Sequence, residues 1–178
     1  MKKVLSLLLT TILVLSLCSF ASAEAVDGTG KVVGVATQHM GNAWNRNCVQ
    51  AIKDVLEPLG FTVEHQDGGG MTTQQVAAVE NFITKGVDYI IVAGGEGGAF
   101  NSVSIQARDA GIPVIGVDMF LDGAITGIMC DNWSGGVQMG IYAVNQMQGE
   151  GKYILLDTSG WATLLDLSLI HISEPTRL

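Results

Sequence analysis

The sequence predicts an α/β fold in which helices cover both faces of a doubly wound parallel sheet. Short runs that are apolar on both faces recur along the chain, as in DYIIVA at 88–93 and IPVIGV at 112–117. Segments whose apolar residues follow the i, i+4, i+7 spacing of a helix separate these runs. Glycines stand where several of those helices should stop, at Gly60, Gly86 and Gly111. Strands that are buried on both faces and alternate with helices are typical of parallel sheets.

Each element follows from the same patterns, taken in chain order. Apolar and β-branched runs predict strands at 31–37, 61–66, 88–93, 112–117, 124–129 and 152–157. Helical spacing predicts helices at 44–59, 72–85, 100–110 and 134–147. Thr72 and Thr73 are the candidates to cap the second helix. The first helix carries an apolar stripe that begins at Trp44 and includes Cys48.

The first residues predict an exported protein. Two lysines precede an uncharged, mostly apolar run at 4–20, which is followed by the small-residue tripeptide Ala-Ser-Ala at 21–23. This pattern is typical of a secretory signal peptide over residues 1–23, cleaved after Ala23. Cys18 raises a lipid anchor as an alternative, but Leu17 stands where a lipobox requires a small residue, so anchoring is less favoured. We therefore expect a periplasmic or cell-surface location.

Charge and cysteine content exclude several classes of function. The formal net charge is −8, and no basic cluster is present, which argues against nucleic-acid binding. Cys48 and Cys130 are too few for a disulfide framework, and we interpret them as small buried apolar residues. His39 and His65 have no partner at metal-ligand spacing, so we expect loop or surface histidines and no metal site.

Ligands of doubly wound sheets bind outside the carboxyl ends of the strands. One segment there, GGEGG at 94–98, precedes a helix as a nucleotide-binding loop would. The third glycine of that motif is replaced by Phe100, and no Walker A motif exists. A nucleotide-binding enzyme of the Rossmann type is therefore a remote alternative.

Three phrases in a fixed order carry a resemblance to a known family. They are KGVDYII at 85–91, GIPVIGVD at 111–118 and DNWSGG at 131–136. Together they resemble the type I periplasmic sugar-binding proteins, which include ribose and galactose binders, and the resemblance runs over residues 31–157. It implies two α/β lobes that close around a sugar by a hinge motion. It also implies that the closed form docks on the permease of an ABC importer, without catalysis or cofactor, and that the intact protein is a monomer.

The resemblance further implies which residues bind the ligand. A sugar presents hydroxyls around its rim, so its site needs amides and carboxylates that pair with them, and an aromatic ring for the apolar face. Asn42 and Asn132 could instead simply cap helices, Trp44 could belong to the core, and Glu96 is expected in solvent. The matched positions are Gln38, Asn42, Trp44, Asn45, Asp118 and Asn132.

One position departs from the family pattern. Many pentose and hexose binders place an arginine after the strand-end aspartate, whereas Asp118 is followed here by Met119. The ligand could therefore be a modified sugar, a polyol or another small polar metabolite. Presentation of the ligand to a chemoreceptor or a sensor kinase remains an alternative to transport. A repressor of the same fold is disfavoured, because the signal peptide occupies the place of its DNA-binding domain.

The resemblance divides the chain into parts of two lobes. Residues 24–118 correspond to the N-terminal lobe without its last returning elements, and residues 119–166 to the start of the C-terminal lobe. Residues 167–178 read LSLIHISEPTRL and resemble a translated sequencing adapter, so we interpret them as a non-native tail. A chain with half of the cleft is expected to bind its ligand weakly and, because apolar faces stay uncovered, to aggregate.

Overall fold

The computed structural model describes residues 26–152. The predicted signal peptide, all but the first residue of the predicted strand at 152–157, and the predicted tail lie outside the described residues. The strands are β1 (Val32–Thr37), β2 (Thr62–Asp67), β3 (Tyr89–Ala93), β4 (Val114–Val117) and β5 (Thr126–Ile128). The α-helices are α1 (Ala43–Leu56), α2 (Thr72–Lys85), α3 (Asn101–Asp109) and α4 (Asn132–Gln146), with 3-10 turns at Glu57–Leu59 and Gly97–Phe100.

The strands form one parallel sheet in the order β2-β1-β3-β4-β5. In its register, Val33 of β1 lies beside Val63 on one side and Tyr89 on the other. Helices cover both faces of this sheet, so the predicted α/β, doubly wound class is confirmed. Helix α2 has the predicted bounds, whereas β5 is shorter than its predicted run at 124–129.

The main core lies on the face covered by α2 and α3. Phe82 of α2 is fully buried there with Ile90, Val92 and Val114 from the sheet. Gly34 makes room for the aromatic ring, because an ideal Cβ at that glycine would stand 2.5 Å from Phe82 Cγ. A close contact between the ring and the β1 backbone therefore anchors α2 to the sheet.

Helix α1 covers the opposite face. Its buried Val49 packs with Val33, Val35 and Ile91, and the partly buried Ile52 extends the same cluster. The two clusters match the alternation of side chains along β1, where residues of odd number face α1 and those of even number face α2 and α3. Since β1 lies between the two layers, it contributes to both parts of the core.

Three local predictions were wrong. Thr72 and Thr73 do not cap α2, because both already lie in its first turn; the residue before it is Met71, and no side chain caps that end. Cys130 is exposed rather than buried, because it follows the short edge strand β5. His65 is not a loop or surface residue but a partly buried member of β2, where its Nε2 lies 2.8 Å from Thr37 Oγ1.

The partial burial of α1 and β2 affects two titratable groups. Cys48 is half-buried on α1, and this burial raises the pKa of its thiol. Burial also lowers the pKa of His65 below its ordinary value, with the nearby Asp67 carboxylate acting in the opposite direction. Both shifts come from desolvation of the charged form.

Helix α4 makes little contact with the sheet. Gly136 is its one buried residue, while Trp133, Ile141 and Tyr142 are each at least 48% exposed. Ile128 of β5 is also exposed. The uncovered apolar surface of the described chain is therefore concentrated in the segment predicted to start a second lobe. None of the helices within residues 26–152 combines the length and the hydropathy needed to cross a membrane.

Candidate functional site

The sheet has a topological switch point between β1 and β3. β1 leads into α1 on one face, whereas β3 leads into α3 on the opposite face. The two connections therefore diverge and leave a crevice at the carboxyl ends of these neighbouring strands, which is where doubly wound sheets bind ligands. β4 and β5 follow on the β3 side, so their ends continue the same edge.

The loop from β1 to α1 is held by side chains of its own residues. Asn42 caps α1, because its Oδ1 accepts a hydrogen bond of 2.7 Å from the Asn45 backbone N–H. His39 Nδ1 accepts from the Gly41 N–H at 3.0 Å, and the His39 carbonyl accepts from Asn45 Nδ2 at 2.7 Å. The capping role considered for Asn42 is confirmed, and its side chain is partly buried.

Trp44 and Asn45 are adjacent in sequence but differ in exposure. Trp44 is 46% exposed and belongs to neither core cluster, so its interpretation as a core residue was wrong. Asn45 is 2% exposed, and its Oδ1 has no hydrogen-bond partner within the described residues. Both contact the β3 end, since an ideal Cβ at Gly94 would stand 3.3 Å from Asn45 Oδ1 and from Trp44 Cζ3.

Gln38 lies at the carboxyl end of β1 and is 9% exposed. Its carbonyl accepts a hydrogen bond of 2.9 Å from the Gly70 N–H, which ties the loop after β2 to the end of β1. Gln38 and Asn45 are thus enclosed by neighbouring backbone, while Trp44 presents its ring to solvent. Gln38, Trp44 and Asn45 therefore lie at the same end of the sheet but differ in how much of each side chain is exposed.

Asp118 directly follows β4 and has the left-handed backbone conformation, with φ of 63°. A non-glycine residue in this region is strained by about 1 kcal/mol or more. Two hydrogen bonds fix the backbone here, from Asp118 N–H to the Ile128 carbonyl at 2.8 Å and from Gly94 N–H to the Val117 carbonyl at 3.1 Å. The strained residue therefore lies at the end of β4, where hydrogen bonds connect the backbone to the ends of β3 and β5. The Asp118 side chain is partly buried.

The capping role considered for Asn132 was wrong, because its neighbour Asp131 caps α4. The Asp131 Oδ1 accepts from the Ser134 N–H at 3.0 Å. Two hydrogen bonds lower the pKa of the Asp131 carboxyl. The larger effect comes from the Ser134 hydroxyl and the smaller from the Ser134 backbone N–H. Asn132 itself is the first residue of α4, is partly buried, and its Nδ2 has no partner within the described residues.

The candidates follow one edge of the sheet in strand order. Gln38, Asn42, Trp44 and Asn45 come from the end of β1, Asp118 from β4 and Asn132 from β5. Sequence reasoning missed Gln75 of α2, which is fully buried and bonded to the carboxyl ends of β1 and β3. Its spacing from Val79 and Phe82, at i+4 and i+7, was the available signal, because it places Gln75 on the buried face of α2. Glu96 is exposed, as expected.

Residues 26–152 contain no group of three or more histidine, cysteine, aspartate or glutamate side chains that could hold a metal ion. The side chains at the described edge offer hydrogen bonding by amides and a carboxylate, together with stacking on an aromatic ring. Such a set of groups can hold a polar ligand that also has an apolar face.

The capping role of Asn42 can be separated from ligand binding by substitution. Asn42→Ala is expected to lower the free energy of unfolding by about 1 kcal/mol, because the Asn45 N–H loses its side-chain acceptor. Asn42→Ser should retain most of that stability, since a serine hydroxyl can also cap. Urea unfolding followed by circular dichroism measures both, and equal losses in the two variants would show that the cap contributes little.

Comparison with known proteins finds one family model and many related structures. A model described as a periplasmic binding protein domain matches residues 33–166. The galactofuranose-binding protein YtfQ of Escherichia coli (strain K12) is 26% identical over 144 residues, which are 78% of this chain and 45% of that protein.

Solved structures show the same relation. The periplasmic binding protein of the arabinose ABC transporter from Shewanella sp. ANA-3, bound to L-arabinofuranose, has a TM-score of 0.69 and 25% identity, covering 82% of this chain and 51% of its own. A solute-binding protein of an ABC transporter from Bacillus halodurans C-125, with bound myo-inositol, has a TM-score of 0.74 and 24% identity, covering 83% and 53%. The chain therefore spans about half the length of these relatives.

Proposed function

Because the chain belongs to the family of periplasmic binding protein domains, we propose that it supplies one lobe and the start of a second lobe of a solute-binding protein that captures a sugar or polyol for an ABC importer. The first lobe is residues 24–118 and the second begins with 119–166. The observation that carries the proposal lies at the carboxyl ends of neighbouring strands: Trp44 lies against Gly94, and the Gly94 N–H bonds to the carbonyl of Val117, the residue before Asp118.

The side chains at this edge suit the chemistry of a sugar. The exposed ring of Trp44 offers an apolar plate to the C–H face of the ligand. The Asp118 carboxylate accepts hydrogen bonds from hydroxyls, and such charge-assisted bonds are about twice as strong as neutral ones. The Oδ1 of Asn42 is used by the cap, and its Nδ2 lies 3.4 Å from His39 Nε2, which leaves the second amide hydrogen to donate to a ligand. The ligand thus meets an aromatic face and polar rim groups.

The class of ligand follows from the relatives and from Met119. The relatives named above are a galactofuranose-binding protein and two binding proteins with bound L-arabinofuranose and myo-inositol. Met119 is 3% exposed and packs against Gly116, so it supplies no charged donor next to Asp118. We therefore favour a furanose, a modified sugar or a polyol over a common pyranose held by an aspartate–arginine pair.

The remaining parts of the proposal concern location and partners. The signal peptide predicted at residues 1–23 directs export, with cleavage after Ala23, and the mature protein acts in the periplasm or at the cell surface. It binds its ligand without catalysis or a cofactor, works as a monomer when both lobes are present, and delivers the ligand to a membrane permease.

The test uses Trp44 as its own reporter. The chain has three tryptophans, so Trp133→Phe with Trp161→Phe leaves Trp44 as the single one; we call this the Trp44-only background. Titration with arabinose, galactose, glucose, myo-inositol and a linear sugar alcohol is followed by fluorescence at low protein concentration. We expect a saturable change with at least one of them at a Kd of about 1 mM or weaker, because one lobe leaves much of the ligand in water.

Asp118→Asn should weaken that binding about 10-fold or more, because a hydrogen bond to a charged acceptor is replaced by a neutral one. The left-handed backbone is retained, since asparagine also adopts it readily. Asp122→Asn is the matched control, because Asp122 lies in the same loop with an exposed side chain. The proposal is wrong if the whole panel leaves the emission unchanged, or if both variants bind as the parent does.

A further inference from the structure

Gln75 connects the two strands of the switch point. It lies in the first turn of α2 and has no exposed surface. Its Nε2 donates to the carbonyl oxygens of Ala36 at 3.3 Å, Ala93 at 3.4 Å and Gly94 at 2.8 Å. These carbonyls end β1 and β3, whose connections leave on opposite faces of the sheet. The Gln75 side chain thus connects the carboxyl end of β1 to the carboxyl end of β3 at the point where the two chain connections diverge.

The orientation of the Gln75 amide follows from its surroundings. Three carbonyl oxygens can face only the amide nitrogen, so the amide oxygen must point away from them. That Oε1 faces the Gly94–Gly95 turn and stands 2.7 Å from the position of an ideal Cβ at Gly95. Both glycines have positive φ, 65° and 123°. The turn is therefore pressed against Gln75 in a backbone conformation that glycine adopts without strain.

The other side of this turn contacts the candidate site. Trp44 Cζ3 and Asn45 Oδ1 each lie 3.3 Å from the ideal Cβ position of Gly94. The turn is thus held between Gln75 and the first residues of α1. An apolar side chain of similar length would fill the space without desolvating an amide. The hydrogen bonds that the amide adds come from its Nε2 donor, which binds the carbonyls of the strand ends, because its buried Oε1 has no hydrogen-bond partner within the described residues.

We propose that Gln75 is a positioning residue of the ligand site, which sets the Gly94–Gly95 turn and, through that turn, the orientation of Trp44 and Asn45. It does not touch the ligand. The part of this inference that concerns Trp44 is independent of any ligand. The part that concerns affinity rests on the proposed function.

The test is a pH-dependent rescue in the Trp44-only background. Gln75→Glu keeps the shape of the side chain, but an ionised carboxylate has no donor and would face three carbonyls. Burial and those carbonyls favour the neutral acid, so the pKa of the introduced carboxyl should rise above about 4.3, its value in an unfolded chain. The protonated form can donate to the Gly94 carbonyl, and this contact is present at low pH and lost as the pH rises through the folded-state pKa.

We expect the emission maximum and the acrylamide quenching of Trp44 in Gln75→Glu to differ from those of the parent at about pH 8 and to return towards them at about pH 5.5. Gln74→Glu makes the same change of charge at the exposed neighbouring position and should match the parent at both pH values. Gln75→Met removes the donor without adding charge, so it should shift the Trp44 signal equally at both. A Trp44 signal that matches the parent in a folded Gln75→Met variant, judged by circular dichroism, overturns the inference.

A sugar titration separates this inference from the proposed function. With the sugar or polyol that the parent binds, Gln75→Met should lower the affinity about 10-fold, whereas Gln74→Met should leave it unchanged. If Gln75→Met changes the Trp44 emission but binds the sugar with the affinity of the parent, the claim that Gln75 affects ligand binding is rejected. If the parent itself binds none of the panel, the proposed function fails, and the effect on Trp44 still decides the positioning role.

Discussion

Phe82→Ala is expected to lower the free energy of unfolding by about 3–5 kcal/mol, the largest effect of any substitution considered for this chain. Phe82 is fully buried between α2 and the sheet, and its ring lies against the Gly34 backbone. Truncation removes apolar contacts and leaves a cavity, because Gly34 has no side chain that could fill the space. Urea unfolding followed by circular dichroism measures the loss.

Phe120→Ala is the matched control for this measurement. The same atoms are removed, but Phe120 is 71% exposed, so the loss should stay below about 1 kcal/mol. Phe82→Leu should fall between the two and provides a measurable value if the alanine variant does not fold. Equal losses for Phe82→Ala and Phe120→Ala would mean that the contact with Gly34 does not anchor α2.

Gly123→Ala is expected to lower the free energy of unfolding by about 2–3 kcal/mol through overlap with the backbone of α3. An ideal Cβ at Gly123 would stand 2.2 Å from the carbonyl carbon of Ser104 and 2.3 Å from the Ile105 nitrogen. Backbone atoms inside a helix cannot move aside as a side-chain tip can. The loop before β5 would have to withdraw, which also breaks the 3.2 Å bond from the Gly123 N–H to Ser104 Oγ.

Gly98→Ala serves as the control for Gly123→Ala. A Cβ at Gly98 would meet no heavy atom within 4 Å, so the change should stay within about 0.5 kcal/mol of the parent. Neither glycine has a positive φ, so the comparison isolates the steric effect. Thermal unfolding of both variants by circular dichroism provides the measurement. A Gly123→Ala variant as stable as Gly98→Ala would show that the loop does not need its close approach to α3.

The order of strands and helices could be predicted because its signals are local. The apolar spacing of α2 and the glycine after it were sufficient to give the bounds Thr72–Lys85. Gly86 ends the helix with φ of 68°, and its N–H bonds to the carbonyls of Ile83 and Phe82. Side chains within one turn of each other carry this information, so no knowledge of distant contacts was needed.

The errors concern single residues whose environment depends on small displacements. Helix α4 was predicted to begin at residue 134 but begins at Asn132, and its cap is Asp131 rather than Asn132. Cys130 was expected to be buried but is exposed, because no strand within residues 26–152 pairs with the outer side of β5. Local patterns place an element in the chain and leave its position in the sheet undetermined.

Alternating strands and helices were sufficient to place the candidate residues at the carboxyl ends of parallel strands, since that alternation implies the arrangement. How deeply each residue is buried depends on contacts between distant parts of the chain. Trp44 and Asn45 differ by one step of about 100° around α1, and both lie against Gly94, yet Trp44 is 46% exposed and Asn45 only 2%. The same holds for Gln75, whose partners in β1 and β3 are up to 39 residues away along the chain. Burial is set by which distant backbone covers a side chain, and that is a property of the packed sheet rather than of the local pattern.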